Sequence, residues 1–254
     1  MLQNGNFSAG WETLPATVGF LRNQRPYQWQ LEWIEPGQPL YDDSGTQSQG
    51  VPECVHKLST QLPSNEQLGA RDALILDGDA TYKIFSFGAP FGATLSQTVT
   101  GLKPGTQATL TVPIQVHMRN ETDAYGAESG VWVNDEGSWV NGFDMGDRQW
   151  YRHIVTFTVP DSGEAEIVIR VKSKWARGKD FFFDGIELDA EIDDGSTGGE
   201  ETGGESGGES DATDGVQGTI YVQVPAGVEL KINQGGQGSQ VEINVPAGIT
   251  VTQV

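Results

Sequence analysis

The chain has 254 residues and carries 35 acidic side chains against 15 basic ones, a net charge of −20 that offers nothing to nucleic-acid phosphates. A single cysteine, Cys54, excludes an intrachain disulfide and a cysteine zinc cluster. No apolar run reaches the roughly 20 residues of a membrane span, and Met1 leads directly into LQNGNF with no signal-peptide pattern.

The charge is uneven. Residues 191–215 hold nine of the 35 acids and no base, so nearly half of the excess belongs to one segment. The remainder reads as solubility. A hydrophobic content of 36% and an aromatic content of 9% suffice for one large domain and something small.

Residues 2–12 read as a turn-rich entry to a short strand, with Trp11 in the core. In 27–34 the alternation places Tyr27, Trp29, Leu31 and Trp33 on one strand face. Residues 35–70, rich in Gly, Pro, Gln, Ser and Asp, predict a long loop with a short turn near 51–58. It carries His56 and Lys57, and Cys54 reads as an inert buried thiol. Asp77-Gly78-Asp79 between ALIL and TYKIF predicts a hairpin.

Residues 93–102 predict a strand, and Lys103-Pro104-Gly105 a turn. In 108–118 Leu110, Val112, Ile114, Val116 and Met118 share a face. Pro113 on the other face predicts an edge or a bulge. Residues 130–133 predict a short strand between two loops, 119–129 and 134–148. Two alternating runs then follow, Tyr151 to Val159 and Ile167 to Val171, joined by Pro160-Asp161-Ser162-Gly163. With the apolar run 181–188 they predict an antiparallel meander in an all-β domain.

After Leu188 the composition shifts. Residues 191–215 predict a flexible, acidic, Gly-rich linker, because 193–215 contain no large apolar residue to offset ordering entropy. Residues 216–254 contain a repeat: VPAGVELKI at 224–232 returns as VPAGITVTQ at 245–253. This predicts a small β-repeat of open-edged strands that self-associates or docks on a partner.

Parity supplies candidate binding residues. Opposite the inward valines and isoleucines lie Gln115 and His117, Trp132, and the cations Arg170, Lys172 and Lys174. Tyr125, Trp139 and Trp175 sit in loops or at a strand end. Aromatic rings with planar polar groups and cations suit a sugar, whose C–H face stacks while its hydroxyls hydrogen-bond. No pair of carboxylates stands out for glycoside hydrolysis, no nucleophile elbow exists, and the three histidines lack metal-ligand spacing.

Four segments in order, NGNF with Gly10-Trp11, LSQTVTGLKPGTQATLTV, RQWYRHIVTFTVP and FFFDGIEL, resemble the galactose-binding-like β-sandwich of non-catalytic carbohydrate-binding modules attached to glycoside hydrolases. The resemblance covers about residues 2–190. It implies an antiparallel jelly-roll β-sandwich over 1–190 and a glycan or polysaccharide partner outside the cell or at its surface. It also implies a structural calcium held by Asp184, with Asn6 beside it. Ser8 stands where the family often has an acidic residue. The competing expectation is a structural subunit of a surface layer, filament or particle, and a less favoured one is a hydrolase with an unusual site.

Overall fold

The computed structural model describes residues 1–15, 22–41, 45–193, 229–234 and 239–244. The chain divides into two compact units, Met1–Gly198 and Gly199–Val254.

The first unit is an antiparallel β-sandwich. A small ribbon pairs β1 (Trp11–Thr13) with β2 (Gln24–Pro26). The first sheet is ordered β10 (Trp150–Thr158), β7 (Gln107–His117), β12 (Lys179–Phe183), β5 (Ala80–Ser86), β4 (Glu53–Leu58), and β13 (Glu187–Asp189) also pairs with β7. The second sheet is ordered β3 (Gln30–Trp33), β6 (Phe91–Val99), β11 (Ala165–Ser173), β8 (Ala127–Val133), β9 (Glu136–Asn141). One helical turn, α1 (Gly142–Met145), is capped by the Asn141 side chain.

The core lies between the sheets. Leu110, Val112, Ile114, Val116, Phe181 and Phe183 of the first sheet meet Leu95, Val131, Ile167, Ile169 and Val171 of the second. Period-two alternation puts these residues on inner faces, and their burial is the main stabilising term. Cys54 is fully buried, and burial pushes its thiol up to about 12, so it stays protonated.

The expected meander is not present. β10 pairs with β7 in the first sheet, β11 lies between β6 and β8 in the second, and β12 returns to the first. Alternation identifies which face of a strand is buried, but the same pattern serves either sheet. The turn at 160–163 therefore crosses the sandwich instead of closing a hairpin, which gives the jelly-roll path.

Other local expectations change for identifiable reasons. ALIL is not a strand: Leu74 and Ile75 are buried, while the Leu76 and Asp77 N–H groups donate to the Asp184 carboxylate instead of a ladder. Residues 53–58, expected as a turn, form edge strand β4, with Cys54 and His56 facing inward. Residues 136–141, expected as loop, form β9. The hairpin to β8 turns on Asn134 and Asp135, both at positive φ (48° and 70°), as a primed two-residue turn requires. Pro113 sits in a central strand, level with the break between β12, which ends opposite Ile114, and β13, which begins opposite Thr111. Trp11 is only partly buried and stacks on His56 at 4.0 Å. Gln28 at φ 71° breaks the alternation, burying Trp29 and leaving Tyr27 exposed.

In the second unit β14 (Glu229–Gln234) and β15 (Ser239–Asn244) pair antiparallel. Residues 194–215 of the expected linker lie outside the described residues, as do 224–228 and 245–253 of the repeat.

Candidate binding surfaces

The outer face of the first sheet is built from two cross-strand rows. One runs Trp150, Gln115, Phe182, Lys83, Val55 and the next runs His117, Asp180, Phe85, Glu53. Lys83 pairs with Asp180 at 2.8 Å and lies over the Phe85 ring at 3.9 Å. Arg119 reaches Asp180 at 2.7 Å from the other side. Burial pushes the Asp180 carboxyl up, but the two cations outweigh it and hold the group below the usual carboxylate range. The middle of the face is thus tied up in an ion-pair network.

Its end at Trp150 is different. Residues 65–73 form one wall, secured by the Trp150 indole N–H donating to the Ala73 carbonyl at 2.9 Å. Arg148, held at φ 57°, lines the cavity as well. Between them is a cavity of about 500 Å3 lined by Asn65, Asp72, Gln115, His117, Arg148 and Trp150 among others. His117 Nε2 donates to Gln115 Oε1 at 2.8 Å, since a carbonyl oxygen can only accept. That leaves the Gln115 amide N–H groups as donors and His117 Nδ1 as an acceptor, with no partner among the described residues. Burial lowers the His117 pKa to about 4, with Arg148 adding to the effect, so the ring is neutral near pH 7. The Arg148 guanidinium makes no ion pair among the described residues. Asp72 is hydrogen-bonded by Arg71 and Asn65, and these bonds, with the Arg148 charge adding to them, hold its carboxyl below the usual range.

Trp132 lies on the other sheet. Gln115 and His117 are outward as expected, but they share a face with each other and not with Trp132. On the second sheet the outer rows run Gln30, Ser96, Val168, Trp132, Gly137 and Glu32, Thr94, Arg170, Gly130, Trp139. Two glycines let the indole lie down on the sheet. A Cβ at Gly130 would stand 2.3 Å from Trp132 Cη2, and one at Gly137 would stand 2.0 Å from the Val131 carbonyl oxygen. Trp139 meets Trp132 edge-on at 5.1 Å and carries Lys172 Nζ 4.1 Å over its own ring. Lys172 is outward yet buried beside Glu128 (3.2 Å). The Arg170 guanidinium lies 5.1 Å from the Trp132 ring and 5.4 Å from that of Tyr41.

Tyr125 and Trp175 occupy a third place, where the loops after β7 and β11 meet. Both are exposed, at 55% and 45%, and Trp175 Nε1 donates to Asp123 Oδ2 at 2.8 Å. Lys174 is tied there through its backbone N–H to the Gly126 carbonyl. His56 and Lys57 lie on β4, and His56 is buried with its Nε2 on the Phe7 carbonyl at 2.7 Å. The six candidate ligand residues therefore fall on three separate surfaces. The sequence reading missed Trp150, Arg148 and Tyr41. The inward parity of Tyr151 already implied an outward Trp150, but nothing in the sequence signalled the wall that makes a cavity beside it.

Asp184 is fully buried, and its oxygens take N–H groups from Leu76 (2.5 Å), Asp77 (3.0 Å) and Gly185 (2.8 Å). Burial pushes its pKa up to about 7 against the pull of these donors. Asn6 turns its amide N–H to Asp77 and its carbonyl to the Ser8 N–H. A calcium ion needs six to eight oxygens with lone pairs facing it. Here the carboxylate faces hydrogen-bond donors, and no cluster of three or more metal-ligating side chains occurs among the described residues. The residues do not fit a calcium ion at this position. Asp184 instead fastens the 76–77 segment to the end of β12.

No protein-family model and no curated protein matches the chain. Solved structures similar in fold include a family 61 carbohydrate-binding module in complex with β-1,4-galactotriose, 16% identical over 75% of this chain and 97% of that one, with a TM-score of 0.46. A family 4 module is 15% identical over 75% of this chain and 100% of that one, with a TM-score of 0.35. The enzymatically active domain of a bacteriophage CBA120 tailspike protein is 13% identical over 65% of this chain and 19% of that one, with a TM-score of 0.39. At these scores the likeness assigns neither ligand nor site. The first unit is an antiparallel β-sandwich, the fold class expected for it.

Proposed function

We propose that the chain is a non-catalytic carbohydrate-binding protein whose glycan site is the walled cavity on the first sheet. The observation that carries this reading is the convergence there of planar polar groups with hydrogen-bonding capacity unused among the described residues: the Gln115 amide N–H groups, His117 Nδ1 and the Arg148 guanidinium. Sugar hydroxyls both donate and accept, so they match a neutral imidazole beside an amide and a guanidinium. A volume of about 500 Å3 holds a few sugar rings. The net charge of −20 disfavours polyanionic partners, so the expected ligand is a neutral polysaccharide or a neutral cell-surface glycan. Affinity is modest, since each net hydrogen bond contributes on the order of 1 kcal/mol. Such ligands place the protein outside the cell or at its surface.

Affinity electrophoresis through gels containing soluble neutral polysaccharides tests the site. Gln115→Ala, with a melting temperature within a few degrees of the parent, is expected to lose most of the retardation. Undiminished retardation would exclude the cavity.

The β14–β15 hairpin, which pairs with no other strand among the described residues, favours an added role for 216–254 as a tether or self-association element. It also favours the competing reading of a surface layer, filament or particle subunit. Truncation after Gly215 should lower the sedimenting mass by more than the removed segment if the hairpin associates, and electron microscopy of the intact chain would reveal an assembly.

A further inference from the structure

The outer face of the second sheet contains a feature that glycan binding in the first-sheet cavity does not use. Arg170 projects from a central strand between the Trp132 and Tyr41 rings. Its Nε is buried with no hydrogen-bond partner, and no acceptor among the described residues takes a hydrogen bond from its guanidinium. Cation–aromatic contact holds the group in place. It does not satisfy the N–H donors, and an unmet buried donor is costly.

Arg170 also lines a second cavity, of about 420 Å3, with the Thr94 and Ser96 side chains on its floor and Glu32 and Glu166 at its sides. Hydroxyls, carboxylates and a guanidinium converge there beside the Trp33 and Tyr41 rings. We infer that this face carries a second, independent site for a neutral sugar, so that one chain can bridge two polysaccharide molecules. The two carboxylates against one guanidinium make the cavity slightly acidic, which selects neutral sugars over uronates. The Trp33 and Tyr41 rings that line the cavity offer C–H stacking surfaces, the carboxylates accept from hydroxyls, and Arg170 donates to them.

The two cavities open on opposite faces of sheets packed about 10 Å apart. A stiff polymer held in one therefore leaves the other open to a second polymer. The bridging rests on the first-sheet cavity being a glycan site, whereas the second site does not.

The test uses the full chain with soluble galactan, xylan and mixed-linkage glucan, and with polygalacturonate as an acidic control. Light scattering of the polysaccharide should rise with added protein and fall again at excess, as bivalent cross-linking requires. Arg170→Gln is expected to cut that rise by at least about fivefold while leaving retardation in affinity gels largely intact. Ser96→Arg, which fills the cavity without removing a wall, should do the same and covers the case where Arg170→Gln fails to fold. Gln115→Ala should also abolish the rise yet keep weak retardation through the second face. Scattering by both second-face variants equal to that of the parent overturns the second site and leaves the first standing. Loss of all retardation in Arg170→Gln, with none in Gln115→Ala, overturns the bridging and the first-sheet site together. Preferential retardation by polygalacturonate overturns the choice of neutral sugars.

Discussion

The two sheets share one core and differ in what happens on their outer faces. On the first, the chain returns over the sheet: residues 65–73 and Arg148 wall in a cavity, and Gln115 and His117 are buried although they point away from the core. On the second, shape comes from within the sheet, where Gly130 and Gly137 clear the space in which Trp132 lies. Outward parity therefore does not mean exposure. A loop can cover an outward polar residue, and missing side chains can make room for a large ring.

The largest expected effect falls on the second face. Gly137→Ala places a Cβ 2.0 Å from the Val131 carbonyl oxygen, a backbone atom that cannot rotate away. It should destabilise by about 3 kcal/mol, the upper end of overpacking costs. Gly88→Ala, with nothing within 4 Å, should be near neutral in the same chemical denaturation series. Equal effects from the two would show that the glycines are not what shapes the platform.

A somewhat smaller effect is expected on the first sheet at Asp184→Asn. An amide cannot accept three N–H bonds with both of its heavy atoms, so at least one donor loses its partner, at about 1–3 kcal/mol. Chelator should leave the melting temperature of the parent unchanged. A chelator-induced drop would return a cation to this region.

Acid should separate the faces. His117 and His153 both have pKa values lowered to about 4 by burial, against a usual 6.5. A base whose folded-state pKa is depressed stabilises the fold fully above 6.5, and that contribution is lost as pH falls toward 4. The melting temperature should decline across this window. Glycan binding in the first-sheet cavity should weaken toward pH 4, where His117 Nδ1 gains a proton and ceases to accept. The Arg170 cavity contains no histidine, so binding there should not share the loss that tracks His117. Parallel pH profiles for Arg170→Gln and Gln115→Ala would erase the distinction.

The smallest effect is expected from Trp175→Ala. The indole is 45% exposed and gives up one hydrogen bond to Asp123, so stability should shift by about 1 kcal/mol or less and retardation should not change. Loss of retardation would move the site to the loops.

The inner face of the sandwich was legible because period two is a strong signal. Leu110, Val112, Ile114 and Val116, and Ile167, Ile169 and Val171, are all buried as the alternation required. Sheet membership was not legible, since β10 and β11 carry the same alternation yet lie in different sheets. Nor was β4, whose single cysteine and histidine are a weak inward set. The outward directions of Gln115, His117 and Trp132 were legible one at a time. Their grouping was not, because it depends on which strands become neighbours, and that is fixed by long-range pairing such as Trp150 with Gln115 and Trp132 with Val168.

The most direct measurement is a nuclear magnetic resonance titration of the labelled chain with a neutral oligosaccharide that its polysaccharide screen selects. Binding in the first-sheet cavity predicts saturable shifts at the Gln115 side-chain amide, the His117 ring and the Trp150 indole at the lowest ligand concentrations. Shifts confined to Trp175 and Tyr125, or no saturable shift at Gln115 and His117, would contradict it.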